Sequence, residues 1–236
     1  MNFYEQENNK TVLKTREIIR ELPEFCNEFF LDLNQNTLPK TRMGYAYDLR
    51  VFFNFLVTEN KEFLGRDIKS LTLDDLQKIK VVDINQFMDY LAYYVSEEDS
   101  QLYSNGENGK ARKLAAVRKL FKYFYRTEKI SSNPAELTIT PKRHEKEIVR
   151  LEPNEVAEML DVIENGSKMT SKQKEYYEKT KIRDLAIVTL LLGTGLRVSE
   201  CVGLDIDDVD FDVNGVRVLR KGSKEMIVYF GEEVEI

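Results

Sequence analysis

The first 140 residues repeat their apolar positions at helical spacing, and the last 30 alternate them. In "NTLPKTRMGYAYDLRVFFNFLV", Tyr45, Leu49, Phe52 and Leu56 fall on one face, with Pro39 and Thr41 marking the start of a helix. "LTLDDLQKIKVVDINQFMDYLAYYV" predicts one or two more helices, with Asp83 a possible cap before the second. Residues 96–109, "SEEDSQLYSNGENG", have no apolar period and carry Asn-Gly, which predicts a loop. "KARKLAAVRKLFKYFYR" predicts a helix over 110–126 with Leu114, Val117, Phe121 and Phe124 as its apolar stripe. Pro134, Pro141 and Pro153 then interrupt helical continuity and predict a linker. Beyond it, "NEVAEMLDVI" predicts a helix, "ENGSKMTSKQKEYYEKTK" an exposed loop or helical insertion, and "IRDLAIVTLLLGTG" a buried helix ending at glycine. "DVDFDVNGVRVLRKGSKEMIVYF" alternates around Asn214-Gly215 and Gly222-Ser223, which predicts a three-stranded antiparallel meander.

Charge is more informative than composition. The 236 residues carry a net charge of −6, which by itself argues against a nucleic-acid partner. Its distribution is uneven: residues 1–109 sum to −7, residues 110–150 to +8 and residues 151–236 to −7. A phosphate backbone meets the local field of that basic segment. On its helix, Arg112, Lys119, Lys122 and Arg126 lie opposite the apolar stripe; Lys110, Lys113, Lys142 and Arg143 extend the basic set of DNA-contact candidates. Cys26 and Cys201 have no CxxC company and read as reduced thiols, and His144 is the single histidine, so no zinc site is expected. No P-loop or GxGxxG occurs, and "DIDDVDFD" lacks the spacing of a calcium loop; no cofactor is expected. The polar start lacks a signal-peptide core, which makes the cytoplasm the expected compartment.

One stretch breaks a local rule. "GTGLRVSECVGL" places Arg197 in the predicted first turn of a helix, where a cation opposes the helix dipole at a cost of a few tenths to about 1 kcal/mol. Main-chain amides there favour an anion, and a guanidinium beside them adds a planar fork suited to phosphate oxygens. Glu200, three residues on, is placed to fix that guanidinium. Lys221 stands at a predicted strand end beside the Gly222-Ser223 turn, with Lys224 across it, where an ammonium could donate a proton.

Together these residues resemble the tyrosine recombinases, or phage integrases, and most closely their Xer-type members. "GTGLRVSECVGL" is similar to the family's first catalytic-arginine motif, and "LRKGSKEMIVYF" to its "GKGxKxR" hairpin, which carries the catalytic lysine. "TRMGYAYDLRVFFNFL" and "KARKLAAVRKLFKYFYRTEKISSNPAEL" resemble the first and last helices of the core-binding domain; "PNEVAEMLDVI" resembles the first helix of the catalytic domain. The resemblance implies a mainly α fold. A four-helix, SAM-like DNA-binding domain over 1–140 precedes a linker over 141–152. The first part of an α+β catalytic domain follows over 153–236. It implies that a tyrosine attacks the scissile phosphate to give a 3′-phosphotyrosyl link, needing no metal or nucleotide. Arg197 would clamp the phosphate, Lys221 would protonate the leaving 5′-oxygen and Glu200 would support Arg197.

The departures set a limit. His144 is followed by "EKE" rather than the family's His-x-x-Arg, and Tyr229 falls too early for the nucleophile. The expectation is an amino-terminal fragment that binds double-stranded DNA without cleaving it. The fragment would be monomeric or weakly associated, its parent a homotetramer on DNA. The alternative is a natural short DNA-binding relative without catalysis.

Overall fold

The computed structural model describes residues 3–95, 100–142, 144, 147–167, 169–220, 224–231 and 234. It divides into two compact units, residues 1–146 and 147–236.

In the first unit, α1 (Phe3–Ile19) packs on α3 (Pro39–Thr58), with α2 (Cys26–Asn36) beside them. Pro39 occupies the first turn of α3, where its missing N–H costs nothing. Leu49, Phe52 and Leu56 are buried as their spacing predicts, and Phe53 and Phe55 are buried too, so α3 is the central helix. Thr72 and Asp75 form a capping box at the start of α4 (Leu73–Lys78). Asp83 is not the cap of α5 (Val81–Tyr90). It sits inside the first turn and accepts the Lys80 N–H at 2.7 Å.

The segment predicted as a loop contains regular structure. β1 (Tyr94–Val95) pairs antiparallel with β2 (Leu102–Tyr103), and Tyr94 stacks between Tyr90 and Tyr103. A two-residue ribbon is too short to leave a period in the sequence. Helix α6 (Glu107–Arg126) starts three residues earlier than the predicted 110–126, and Leu114, Val117, Phe121 and Phe124 are fully buried. Arg118 leaves the basic face to tie down α7 (Pro134–Leu137) and the chain that follows it. Its Nε donates to the Ala135 carbonyl at 3.0 Å, Nη1 to Thr140 Oγ1 at 2.6 Å and Nη2 to the Thr138 carbonyl.

In the second unit, α8 (Pro153–Asn165) ends at Gly166, whose φ of +64° is the left-handed cap; a Cβ there would also lie 2.6 Å from the Tyr177 ring. Helix α9 (Ser171–Thr194) joins two segments that the sequence separates. Thr170 and Gln173 cap it, and "SKQKEYYEKTK" runs unbroken into "IRDLAIVTLLLGT". The apolar part of α9 is not the buried helix its composition predicts: Thr189 is its one buried residue, and Ile187 and Leu192 are exposed. The core it meets is small, built from Leu196, Val216, Val218 and Phe230, and covers one side only. A four-residue α10 (Val198–Cys201) and a 3₁₀ turn lead into β3 (Val209–Asp210), β4 (Gly215–Arg220) and β5 (Lys224–Tyr229), paired antiparallel in that order. The three strands pair in the predicted order, and Asn214 lies in the first turn at φ +51°; the predicted Gly222-Ser223 turn lies outside the described residues. Both thiols are free; Cys26 is buried, whereas Cys201 is only half-buried.

Candidate phosphate site and nucleic-acid interface

Helix α9 closes at Gly195, with φ +63° and its N–H on the Leu191 carbonyl. The chain then drops Leu196 into the core, and Arg197 emerges in extended conformation as the N-cap of α10. Arg197 therefore precedes the helix instead of lying in its first turn, and a single turn has little dipole to oppose. The amides of so short a helix make no anion site of their own, which corrects that part of the sequence argument.

What distinguishes the site is Glu200. Its Oε2 accepts the Arg197 N–H at 2.9 Å, its Oε1 accepts Arg197 Nη1 at 2.9 Å, and its own N–H returns to the Arg197 carbonyl at 2.8 Å. The carboxylate is buried while the Arg197 side chain is 70% exposed. The Arg197 N–H foremost, aided by the two nearby guanidiniums, holds the Glu200 carboxyl below its ordinary range despite burial. The result is a permanently charged fork with its back fixed and its front in solvent.

Lys221 and Arg143 lie outside the described residues. A third cation that the sequence argument missed, Arg220, ends β4 with its Nε 4.0 Å from Glu200 Oε1. Its signal was present in the alternation Val216, Val218, Arg220, which aims the arginine at the same side as the core.

In the first unit, Lys119, Lys122 and Arg126 are exposed along α6, and Arg112 lies two turns before Lys119 on that face. Arg126 pairs with Asp32 at 3.3 Å. Among the described residues, no carboxylate pairs with Lys110, Lys119, Lys122 or Lys142. Lys113 is buried, and its Nζ donates to Asn105 Oδ1 at 2.8 Å. His144 is bonded through Nδ1 to Glu107, in the first turn of α6, at 2.7 Å.

Asp48 is the other residue the sequence argument missed, a carboxylate at a core position of α3. It is 1% exposed, with Arg112 Nη2 at 2.8 Å and Lys113 Nζ at 4.0 Å from Oδ1. Neither carboxylate oxygen accepts an aligned hydrogen bond among the described residues. Burial pushes its pKa up to about 6, against the pull of Arg112 and Lys113. A carboxyl whose folded pKa lies above its unfolded value of 3.8 weakens the fold when ionised. That penalty is complete above pH 6 and disappears as pH falls towards 4. Asp48→Asn is expected to raise stability at pH 7.5 by about 1–3 kcal/mol, with the gain shrinking to near zero at pH 4. Thermal unfolding followed by circular dichroism at both pH values checks this. A variant less stable than the parent at pH 7.5 would show that the Arg112 pair outweighs the desolvation.

Among the described residues, no helix is long and apolar enough to cross a membrane, and no group of three or more His, Cys, Asp or Glu is placed to hold a metal ion.

Residues 149–236 match the phage integrase family. Tyrosine recombinase XerC of Caldanaerobacter subterraneus is 34% identical over 218 residues, covering 89% of this chain and 55% of that protein. XerC of Leptospira interrogans is 30% identical over 224 residues, covering 90% and 62%. The chain thus spans between half and two thirds of the length of these relatives. Two solved structures share the fold. XerH recombinase bound to palindromic difH aligns with a TM-score of 0.57 at 19% identity, over 85% of this chain and 52% of that one. Tn1549 transposon integrase in complex with circular intermediate DNA aligns at 0.55 and 19%, over 89% and 61%. Residues 149–236 are thus a phage integrase family domain, and the chain is similar to XerC tyrosine recombinases over most of its length.

Proposed function

We propose that this chain is the DNA-holding part of a site-specific tyrosine recombinase. The first unit binds duplex DNA through the basic face of α6. The second unit presents Arg197 to a phosphodiester, with Lys221 as the proton donor to the leaving 5′-oxygen. The observation that carries this reading is the exposed Arg197 guanidinium anchored by buried Glu200: a fixed cation facing solvent is built for an external anion. The DNA-bound recombinases that share the fold support double-stranded DNA as the partner. No cofactor is called for, because phosphodiester exchange through a covalent tyrosyl ester conserves the bond energy. In this reading the whole recombinase acts in the cytoplasm as a tetramer on DNA, and the 236-residue chain is monomeric or weakly associated. The chain contains no His-x-x-Arg to complete the phosphate clamp, so it binds DNA without cutting it.

Binding of a fluorescein-labelled, mixed-sequence duplex, read by anisotropy from 50 to 200 mM NaCl, tests the proposal. Engagement of four or five cations predicts a log–log slope of about −4. No binding at 50 mM NaCl, or a slope near zero, would remove DNA as the partner. A nicked suicide duplex should give no covalent adduct on a denaturing gel. An adduct would mean that one of the 12 tyrosines acts as nucleophile.

A further inference from the structure

We propose that Arg220 is a second guanidinium of the phosphate site, sharing Glu200 with Arg197. This rests on the reading of Arg197 as a phosphate ligand and extends it to a residue to which the family resemblance gives no role. In the "GKGxKxR" pattern that the hairpin resembles, the first glycine falls at Arg220 and the final arginine at Met226. This chain therefore carries a cation on β4 where the pattern has none, and lacks one on β5 where the pattern has it.

Strand geometry explains where the side chain goes. Successive residues of a strand face opposite sides, so Val216, Val218 and Arg220 share one side of β4. Val216 and Val218 are buried in the core of the unit. Arg220 is the next residue on that side, at the strand's end, and it meets the carboxylate of Glu200. The Nε atom is buried and has no hydrogen-bond partner among the described residues. At 4.0 Å from Glu200 Oε1 it feels the charge without making the bond, and that oxygen already accepts Arg197 Nη1. The rest of the Arg220 side chain is 38% exposed.

Charge balance decides between a closed structural pair and an open ligand site. Two guanidiniums face one carboxylate, so among the described residues the cluster carries one positive charge in excess. A buried ionic group held purely for structure is expected to be neutralised and fully hydrogen-bonded. Here Arg220 Nε has no hydrogen-bond partner among the described residues, and both guanidinium side chains reach solvent, Arg197 at 70% exposure and Arg220 at 38%. A phosphodiester carries one negative charge and several acceptor oxygens, which supplies what the cluster lacks.

The test compares duplex binding by the full chain and by Arg220→Ala, Arg197→Ala, the double variant and Arg220→Lys, each checked for folding by circular dichroism. Arg220→Gln, which keeps the apolar stem, replaces the alanine variant if that one fails to fold. Loss of one phosphate contact lowers the salt slope by about 0.9 and the affinity roughly eightfold at 0.1 M salt. The expected result is that loss for either single variant, about twice the logarithmic loss for the double variant, and near-parent binding for Arg220→Lys. If Arg220→Ala or Arg220→Gln lowers only the unfolding temperature and keeps the parent slope while Arg197→Ala loses affinity, Arg220 is structural and the proposal falls alone. If the chain binds DNA and neither position matters, the Arg197 reading falls with it. If the chain binds no duplex, the proposed function fails first.

Discussion

Reversing the charge at Arg112, Lys119 and Lys122 together is expected to lower duplex affinity at least 500-fold at 0.1 M salt. Each phosphate contact contributes a factor of roughly eight under those conditions, and three lost contacts multiply to about 500. Repulsion between the new carboxylates and the backbone adds to that. The log–log salt slope should fall by about 3. The three positions do not contribute alike. Lys119 and Lys122 are exposed on α6 without an ionic partner among the described residues, so their charge is fully available. Arg112 is shared with Asp48, and a carboxylate at 112 would also stand beside a buried carboxylate. Arg112→Gln in the same background separates the two effects, because it removes the cation without adding repulsion. The control is reversal at Lys10, Lys14 and Lys69, which changes net charge equally elsewhere on the unit and should change affinity much less. Equal losses from both triples would show that overall charge governs binding and that α6 is no special face.

Much of the architecture was legible because its signals are periodic. Leu49, Phe52 and Leu56 repeat at helical spacing, and Val216 and Val218 repeat at two, so the central helix and the meander follow from counting. What was not legible has physical causes. The ribbon of Tyr94–Val95 with Leu102–Tyr103 is two residues long and held by stacked tyrosines, a tertiary effect with no local period. Helix α9 looks like two elements because its polar half, through Lys181, meets no core, yet the Thr170–Gln173 cap and unbroken hydrogen bonding carry it to Gly195. The apolar half was expected inside because it is apolar all round, but burial depends on how much core surrounds it, which sequence does not give. At the site, Arg197 and Glu200 were found through a broken local rule, although the rule proved to concern a cap and not a helix dipole. Asp48 and Arg220 were missed for the opposite reason. Each sits in phase with apolar neighbours, and a charged residue in phase with a core is the mark that would have found them.

The largest stability effect expected of a single substitution is at Phe52. Its side chain is fully buried in α3, and its ring centroid lies 5.1 Å from Phe87 in α5, 5.5 Å from Phe53 and 6.5 Å from Phe121 in α6. The ring therefore joins three helices, including the one that carries the basic face. Phe52→Ala removes the transfer energy of the ring and leaves a cavity that neighbouring rings cannot fill without leaving their rotamers, at about 3–5 kcal/mol. Against a total of about 5–15 kcal/mol for a domain, that is a large fraction of what holds the unit. Phe52→Leu, which retains most of the apolar volume, should lose less than half as much. Tyr125→Ala on α6, exposed and outside the core, should stay within about 0.5 kcal/mol of the parent. Urea unfolding by circular dichroism at 222 nm measures all three, and duplex binding near the variant's midpoint shows the functional consequence. With the core loosened, α6 no longer holds its cations in one row, so Phe52→Ala should lose DNA affinity as temperature rises while touching no phosphate itself. A loss below about 1 kcal/mol would mean that the surrounding rings close over the gap, and that the aromatic cluster is more plastic than its edge-to-face geometry implies.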